Sequence, residues 1–130
     1  MTVKAVDLLE RVRAAQSSGV RLVIYRLPPD LLSFAPIAAG SLASFPGVAI
    51  EEIVDAGVIR SAIEAIAASA PRPVDGFLDA RFGLIFSNVS GEPVLEVYKG
   101  AFVSRGQIDE QLCVYDGPAL YEWLRERYRA

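Results

Sequence analysis

The fold is indicated first by residues 81–115, which read RFGLIFSNVSGEPVLEVYKGAFVSRGQIDEQLCVY. Three runs in this stretch are rich in β-branched, aliphatic and aromatic residues, and a shorter fourth run adds to them: 81–87, 92–99, 111–115 and 102–107. Gly91, Gly100 and Gly106 lie between the three main runs and supply the turns that connected strands need. The stretch therefore predicts an antiparallel meander of three to four strands.

Upstream of the meander, the apolar positions mostly recur at helical spacing. Residues 2–16 predict an amphipathic N-terminal helix, and residues 49–69 carry the longest apolar stripe and predict a long central helix. Between them, residues 20–27 are nearly all β-branched or aliphatic, which predicts one earlier strand covered on both faces. The break at Pro71-Arg72-Pro73 ends the central helix.

The chain is expected to end in an aromatic, amphipathic helix over residues 119–129, with Asp116 as its N-cap. Helices that are segregated from an antiparallel meander describe an α+β fold. A length of 130 residues is near the common size of one domain, so we expect a single domain over residues 1–130.

Residues 27–50 form the most apolar region and contain one charged residue, Asp30. Proline and glycine interrupt it, so no run approaches the roughly 18 to 20 residues that a membrane span needs. We expect Asp30 to cap a short helix over residues 31–35, followed by a loop or second short helix through Ile37, Leu42 and Phe45. Residues 31–45 are interpreted as a lid over the sheet or as a hydrophobic contact with another molecule.

The composition argues against several functional classes. The chain has no histidine and a single cysteine, Cys113, which removes the common general base, the usual catalytic triads and cysteine-histidine zinc sites. We therefore expect neither a metal nor a cofactor. The formal net charge is −3 and no cationic block occurs, so nucleic acid is a poor fit. The single thiol and a charged N-terminal region favour the cytoplasm.

Acidic and aromatic groups are the candidate contacts for a protein partner. One acidic group lies in the predicted first turns of the central helix, a second precedes the last strand, and aromatic residues lie beside arginines in the C-terminal helix. The predicted partner-binding residues are Glu51, Glu52, Asp55, Asp109, Glu110, Tyr121, Trp123 and Tyr128. Acids would favour a basic partner, although acids also collect at helix starts because they complement the helix dipole.

These observations favour a non-enzymatic protein-binding module, in its most concrete form a small cytosolic immunity or antitoxin-type inhibitor that occludes a toxic partner. A homodimer stays open as an alternative. A different class would be a small enzyme or ligand-binding protein that uses Asp75, Asp79 and Arg81 in a pocket roofed by residues 31–45. A secretion chaperone is similar in size and charge, but such chaperones generally place several strands between their first two helices, where only one is predicted here.

Overall fold

The computed structural model of the protein describes residues 5–28, 36–101 and 104–128. Its elements, in chain order, are α1 (Ala5–Ser18), β1 (Arg21–Arg26), α2 (Ala39–Leu42), β2 (Ala49–Ile53), α3 (Ala56–Ala68), β3 (Pro71–Pro73), β4 (Phe82–Ser87), β5 (Pro93–Lys99), β6 (Arg105–Ile108), β7 (Gln111–Tyr115) and α4 (Ala119–Arg127). The α+β class is confirmed. None of the described helices is long and apolar enough to cross a membrane.

The strands form one sheet in the order β2-β1-β4-β5-β6-β7-β3, and all neighbouring strands are antiparallel. Strands β4 to β7 follow one another in the chain and in space, so they are the predicted meander, with β6 as its short additional strand. The sheet is wider than the prediction because β1 and β2 extend it on one side and β3 extends it on the other.

The helices α1, α3 and α4 supply apolar side chains to one core together with the strands. Its buried residues are Leu8, Val12, Ala15, Leu22, Ile24, Ile53, Ile59, Ala62, Ile63, Ile66, Leu84, Phe86, Leu95, Val97, Ile108, Cys113, Tyr115, Leu120 and Leu124. Because side chains alternate along a strand, Leu22 and Ile24 of β1 face this core while Val23 and Tyr25 face the other side of the sheet. Val23 and Tyr25 are half-buried, so the second face is covered less completely than the first.

The second face carries a smaller core, to which the region before β2 contributes. Ile37 and Leu42 are buried there against Leu78, Ala80 and Tyr98. The lid interpretation of residues 31–45 therefore fits their described part, residues 36–45, in which α2 is the expected second short helix. The helix predicted over residues 31–35 and its cap Asp30 lie outside the described residues.

The predicted start of the central helix at residue 49 is wrong. Residues Ala49–Ile53 form β2 and pair with β1, and α3 begins at Ala56. The carboxylate of Asp55 accepts a hydrogen bond from the Val58 N–H at 3.0 Å, so Asp55 is the N-cap of α3. The apolar spacing in this short stretch fits both a helix and a strand, and pairing with β1 decides between them.

Two other expectations require correction. Pro71–Pro73 ends α3 as predicted but also forms the edge strand β3 beside β7, where proline's missing N–H is tolerated. Asp116 does not cap α4; its carboxylate lies 3.1 Å from Arg72 Nε, and Pro118 occupies the cap position. Between the first two helices, α1 and α2, the structure has one strand, β1, as predicted; β2 follows α2 and precedes α3.

Candidate functional site

The acidic group predicted at the start of the central helix is divided between the two faces of the sheet. Glu51 and Glu52 are neighbours on β2 and therefore point in opposite directions. Glu51 faces α4, where Arg127 Nη2 lies 2.8 Å from its carboxylate and the Tyr128 hydroxyl donates to it at 2.6 Å. The hydrogen bonds from Arg127 and Tyr128 lower the pKa of Glu51. Glu52 pairs instead with Arg21 of β1, at 3.2 Å.

Two of the three predicted aromatic contacts hold the C-terminal helix to the rest of the protein. Trp123 Nε1 donates to Ser61 Oγ of α3 at 3.0 Å. The Tyr128 ring lies 4.3 Å from the guanidinium of Arg26, and burial raises the pKa of Tyr128 to about 12. Tyr121 is 41% exposed and is the one of the three with an open surface.

The second acidic pair lies in the turn between β6 and β7. Asp109 has a φ of +52° and accepts a hydrogen bond from the Glu96 N–H at 3.0 Å. It also forms an ion pair with Arg11 of α1, so this carboxylate ties the helix to the turn. Glu110 is exposed on the rim of an open groove of about 780 Å³ that Arg11, Glu96 and Asp109 also line.

The residues of the enzyme alternative have structural contacts. Asp79 accepts hydrogen bonds from the Ile37 N–H at 2.9 Å and from Arg81 Nη1 at 3.0 Å, and Arg81 is 4% exposed. Asp75 is exposed, and its carbonyl accepts a hydrogen bond from Arg105. Within the described ranges, no group of three aspartate, glutamate or cysteine side chains is arranged to hold a metal ion.

The two edges of the sheet differ in their capacity to bind another strand. The β3 edge consists of Pro71, Arg72 and Pro73, and neither proline has an N–H to offer. The β2 edge consists of Ala49–Ile53 without proline. Counting the strands that the structure describes, β2 has one neighbour, β1, so its outer side is unpaired.

The hydrogen bonds of β1 show which backbone groups of β2 face outward. The N–H of Leu27, just after β1, donates to the carbonyl of Arg81 on the β4 side at 2.9 Å. Since backbone groups alternate sides along an antiparallel strand, the odd-numbered residues of β1 bond toward β4 and the even-numbered ones toward β2, where Glu51 is among their partners. The N–H and C=O groups of Ile50 and Glu52 therefore point to the open edge.

Exposed apolar side chains accompany this open edge. Ile50 is 61% exposed and Val54 is 68% exposed, and Val54 lines a cavity of about 190 Å³ together with Val20, which is 50% exposed. Glu52 and Asp55 are exposed beside them. We refer to Val20, Ile50, Glu52, Val54 and Asp55, with the outer backbone of β2, as the β2 edge surface.

A second feature is a buried lysine, which the sequence analysis did not single out. Lys99 is 3% exposed, its Nζ donates to the Gly100 carbonyl at 3.1 Å, and it lies 5.1 Å from the Tyr121 ring. Burial lowers its pKa to about 8. The sequence does carry a signal, because eleven of the thirteen basic residues are arginine and only Lys4 and Lys99 are lysine. Cys113 is fully buried, and burial raises its pKa to about 11.

No protein family, curated protein or solved structure matches the chain.

Proposed function

We propose that this protein is a cytoplasmic, non-enzymatic protein-binding module whose β2 edge surface receives an extended segment of another protein. The observation that carries the proposal is the contrast between the two sheet edges: prolines block the β3 edge, whereas β2 presents outward backbone groups beside exposed apolar side chains. Unprotected edges of this kind invite strand pairing, and proteins usually blunt them unless they are used.

The binding mode is strand addition. The N–H and C=O groups of Ile50 and Glu52 offer four hydrogen-bonding groups to an incoming strand, which gives affinity that does not depend on side chains. The exposed side chains of Ile50 in β2 and of Val54, just after the strand, then supply apolar contacts to the added strand. An extended segment with alternating apolar residues fits this arrangement.

The charges of the surface favour a basic segment. Glu52 and Asp55 are exposed beside the apolar side chains, and the whole chain has a net charge of −3. A second copy is a poorer occupant, because antiparallel pairing of two β2 strands would bring Glu51 and Glu52 of both copies across one short junction, and like charges on adjoining strands are destabilising. Opposite charge also accelerates association with a basic partner.

The most concrete form of the proposal is an immunity or antitoxin-type inhibitor. Such a protein needs a complementary surface and no chemistry of its own, which agrees with the structural contacts made by Asp79 and Arg81. A secretion chaperone is the second candidate, since an open sheet edge that receives an extended segment suits it equally. The state of the captured partner distinguishes the two functions, because an inhibitor abolishes the partner's activity, whereas a chaperone holds the partner unfolded.

The test compares capture of partners from the source cells by three forms of the protein: wild type, Ile50→Lys and Val89→Lys. Val89 is 89% exposed in the β4–β5 turn and does not belong to the β2 edge surface, and β1 and β4 lie between this turn and β2, so Val89→Lys makes the same chemical change away from the open edge. We expect a partner that the wild type and Val89→Lys retain and that Ile50→Lys loses. A partner retained equally by both variants would show that binding occurs elsewhere, with the exposed Tyr121 as the next surface to examine.

A further inference from the structure

Lys99 is placed in the interior by the alternation of β5. It follows Leu95 and Val97 on the side of the strand that faces the helices, and those two residues belong to the main core. Lys99 is nearly as buried as they are, with 3% of its surface exposed. Lysine is rarely buried to this extent, because removing an ammonium group from water is costly.

A cavity of about 270 Å³ adjoins this amine. Lys99, Ser104, Tyr115, Asp116, Leu120 and Tyr121 line it, together with Gly117 and Pro118. Ser104 and Tyr121 are exposed, so the cavity opens to solvent at their side. Leu120, Pro118 and the Tyr121 ring give it apolar walls, and its size is near the lower end of small-molecule sites.

We propose that this cavity is a binding site for small aldehydes, which Lys99 holds as a reversible imine. The neutral amine attacks the carbonyl carbon to form a C–N bond, and the resulting carbinolamine loses the carbonyl oxygen as water, which leaves the C=N bond. Two hydrogens of the amine leave in that water, no electron is gained or lost, and no cofactor is needed. The site lies beyond the protein-binding role proposed above and is independent of it.

The choice of lysine supports this chemistry. Arginine fills eleven of the thirteen basic positions in the chain, yet the buried position on the cavity wall is one of the two lysines. A guanidinium stays protonated and cannot act as a nucleophile, whereas an amine can lose its proton and does so more readily when it is desolvated. Desolvation lowers the pKa of Lys99 to about 8, which makes part of the amine neutral near physiological pH.

The other charge on the cavity wall favours a neutral ligand over an anion. Asp116 lines the same cavity, and Arg72 lies 3.1 Å from its carboxylate. A carboxylate or phosphate ligand would approach this like charge, whereas an aldehyde would not. The Tyr121 ring and the apolar walls fit an aldehyde with a small aromatic or aliphatic body.

The test is reductive trapping of the folded, full-length protein with benzaldehyde and sodium cyanoborohydride at pH 7, with peptide mapping by mass spectrometry. Lys4 is the internal reference, since these are the only two lysines. A lysine of pKa about 8 has a neutral fraction roughly 300 times that of a lysine at its ordinary pKa of 10.5. Allowing for restricted access, we expect Lys99 to be labelled at least about tenfold faster than Lys4. Equal or slower labelling of Lys99 would overturn the proposal.

Two further measurements separate the cavity from general reactivity. Ser104→Trp fills the cavity mouth and is expected to slow labelling of Lys99 at least several-fold. The control is Ser90→Trp, because Ser90 is exposed in the β4–β5 turn and the change there should leave the labelling rate of Lys99 unchanged. Benzyl alcohol, a neutral analogue, is expected to compete with benzaldehyde at least as well as benzoate. Stronger protection by benzoate would identify an anion site and reject the aldehyde proposal, as would equal rates in the two tryptophan variants.

Discussion

Burial of Lys99 makes the stability of the protein depend on pH. Desolvation lowers its pKa from 10.5 to about 8, so between these values the unfolded chain binds a proton that the folded chain has released. The contribution of Lys99 to stability therefore rises as the pH increases from about 8 to 10.5. At neutral pH the folded state instead bears the cost of a buried charge.

Lys99→Met should remove this cost. We expect the variant to be more stable than the wild type at pH 7, by at most about 3 kcal/mol, and the difference to shrink toward pH 10.5. Urea unfolding of both proteins at a series of pH values measures the difference in their free energies of unfolding. Titration of the tyrosines and Cys113 affects both proteins alike and therefore cancels in this difference. A difference in stability that does not change with pH would show that the Lys99 amine is not desolvated in the folded state.

For single residues, the sequence shows which types of side chain an element carries better than it shows which residues those side chains contact. It shows that aromatic residues and arginines share the last helix, but not that Tyr128 and Arg127 bind Glu51, which lies 76 positions before Arg127. It also identifies Asp55 as a residue near a helix start, and Asp55 is the cap. Contacts between residues distant in the chain depend on the sheet order, which no local pattern contains.

The strand β2 gives a matched pair of carboxylates for testing how α4 is held. Glu51→Gln weakens the ion pair with Arg127 and the hydrogen bond from Tyr128, so we expect a loss of about 1 kcal/mol and faster amide exchange in α4. Glu52→Gln affects the exposed pair with Arg21 and should change stability by less than about 0.5 kcal/mol. Equal effects of the two changes on α4 would contradict the opposite orientation of these side chains.

The helix α3 supplies the central apolar stripe of the main core. Ile63 is 1% exposed, so Ile63→Asp would bury a carboxylate among apolar neighbours at a cost of several kcal/mol, comparable with the total stability of about 5 to 15 kcal/mol for a typical domain. We expect the variant to be unfolded by circular dichroism. Arg60→Asp introduces the same residue on the exposed side of the same helix and should remain folded. A cooperative unfolding transition in Ile63→Asp would refute the assignment of this stripe.

The elements that the sequence predicts well are those with a long or repeated pattern. Gly91 and Gly100 mark two connections of the meander, and α1, α3 and α4 are marked by apolar stripes. The turn predicted at Gly106 is wrong, because Gly106 lies within β6 and the β6–β7 turn is Asp109-Glu110. The sequence does not predict the two additional strands β2 and β3, for different reasons. Strand β2 is too short for its periodicity to exclude a helix, and β3 contains two prolines, which ordinarily argue against a strand. Both are specified by their neighbours, β1 and β7, rather than by their own residues.

At the scale of the whole molecule, the sheet is unevenly protected. Helices α1, α3 and α4 contribute to the larger core, while the second face has a smaller core to which residues around α2 contribute. Prolines block the β3 edge, and the β2 edge remains open among the strands that residues 5–28, 36–101 and 104–128 provide. This asymmetry leaves the β2 edge surface as the place where another protein can extend the sheet.

Amide hydrogen exchange at β2 tests this claim most directly, with the free protein compared with its complex with the partner captured in the variant experiment. In the free protein, the amides of Glu51 and Ile53 should be protected by β1, whereas those of Ile50 and Glu52 should exchange rapidly because they face the open edge. Partner binding should slow exchange at Ile50 and Glu52 at least about tenfold. Rapid exchange at those two amides in the saturated complex would contradict strand addition at β2.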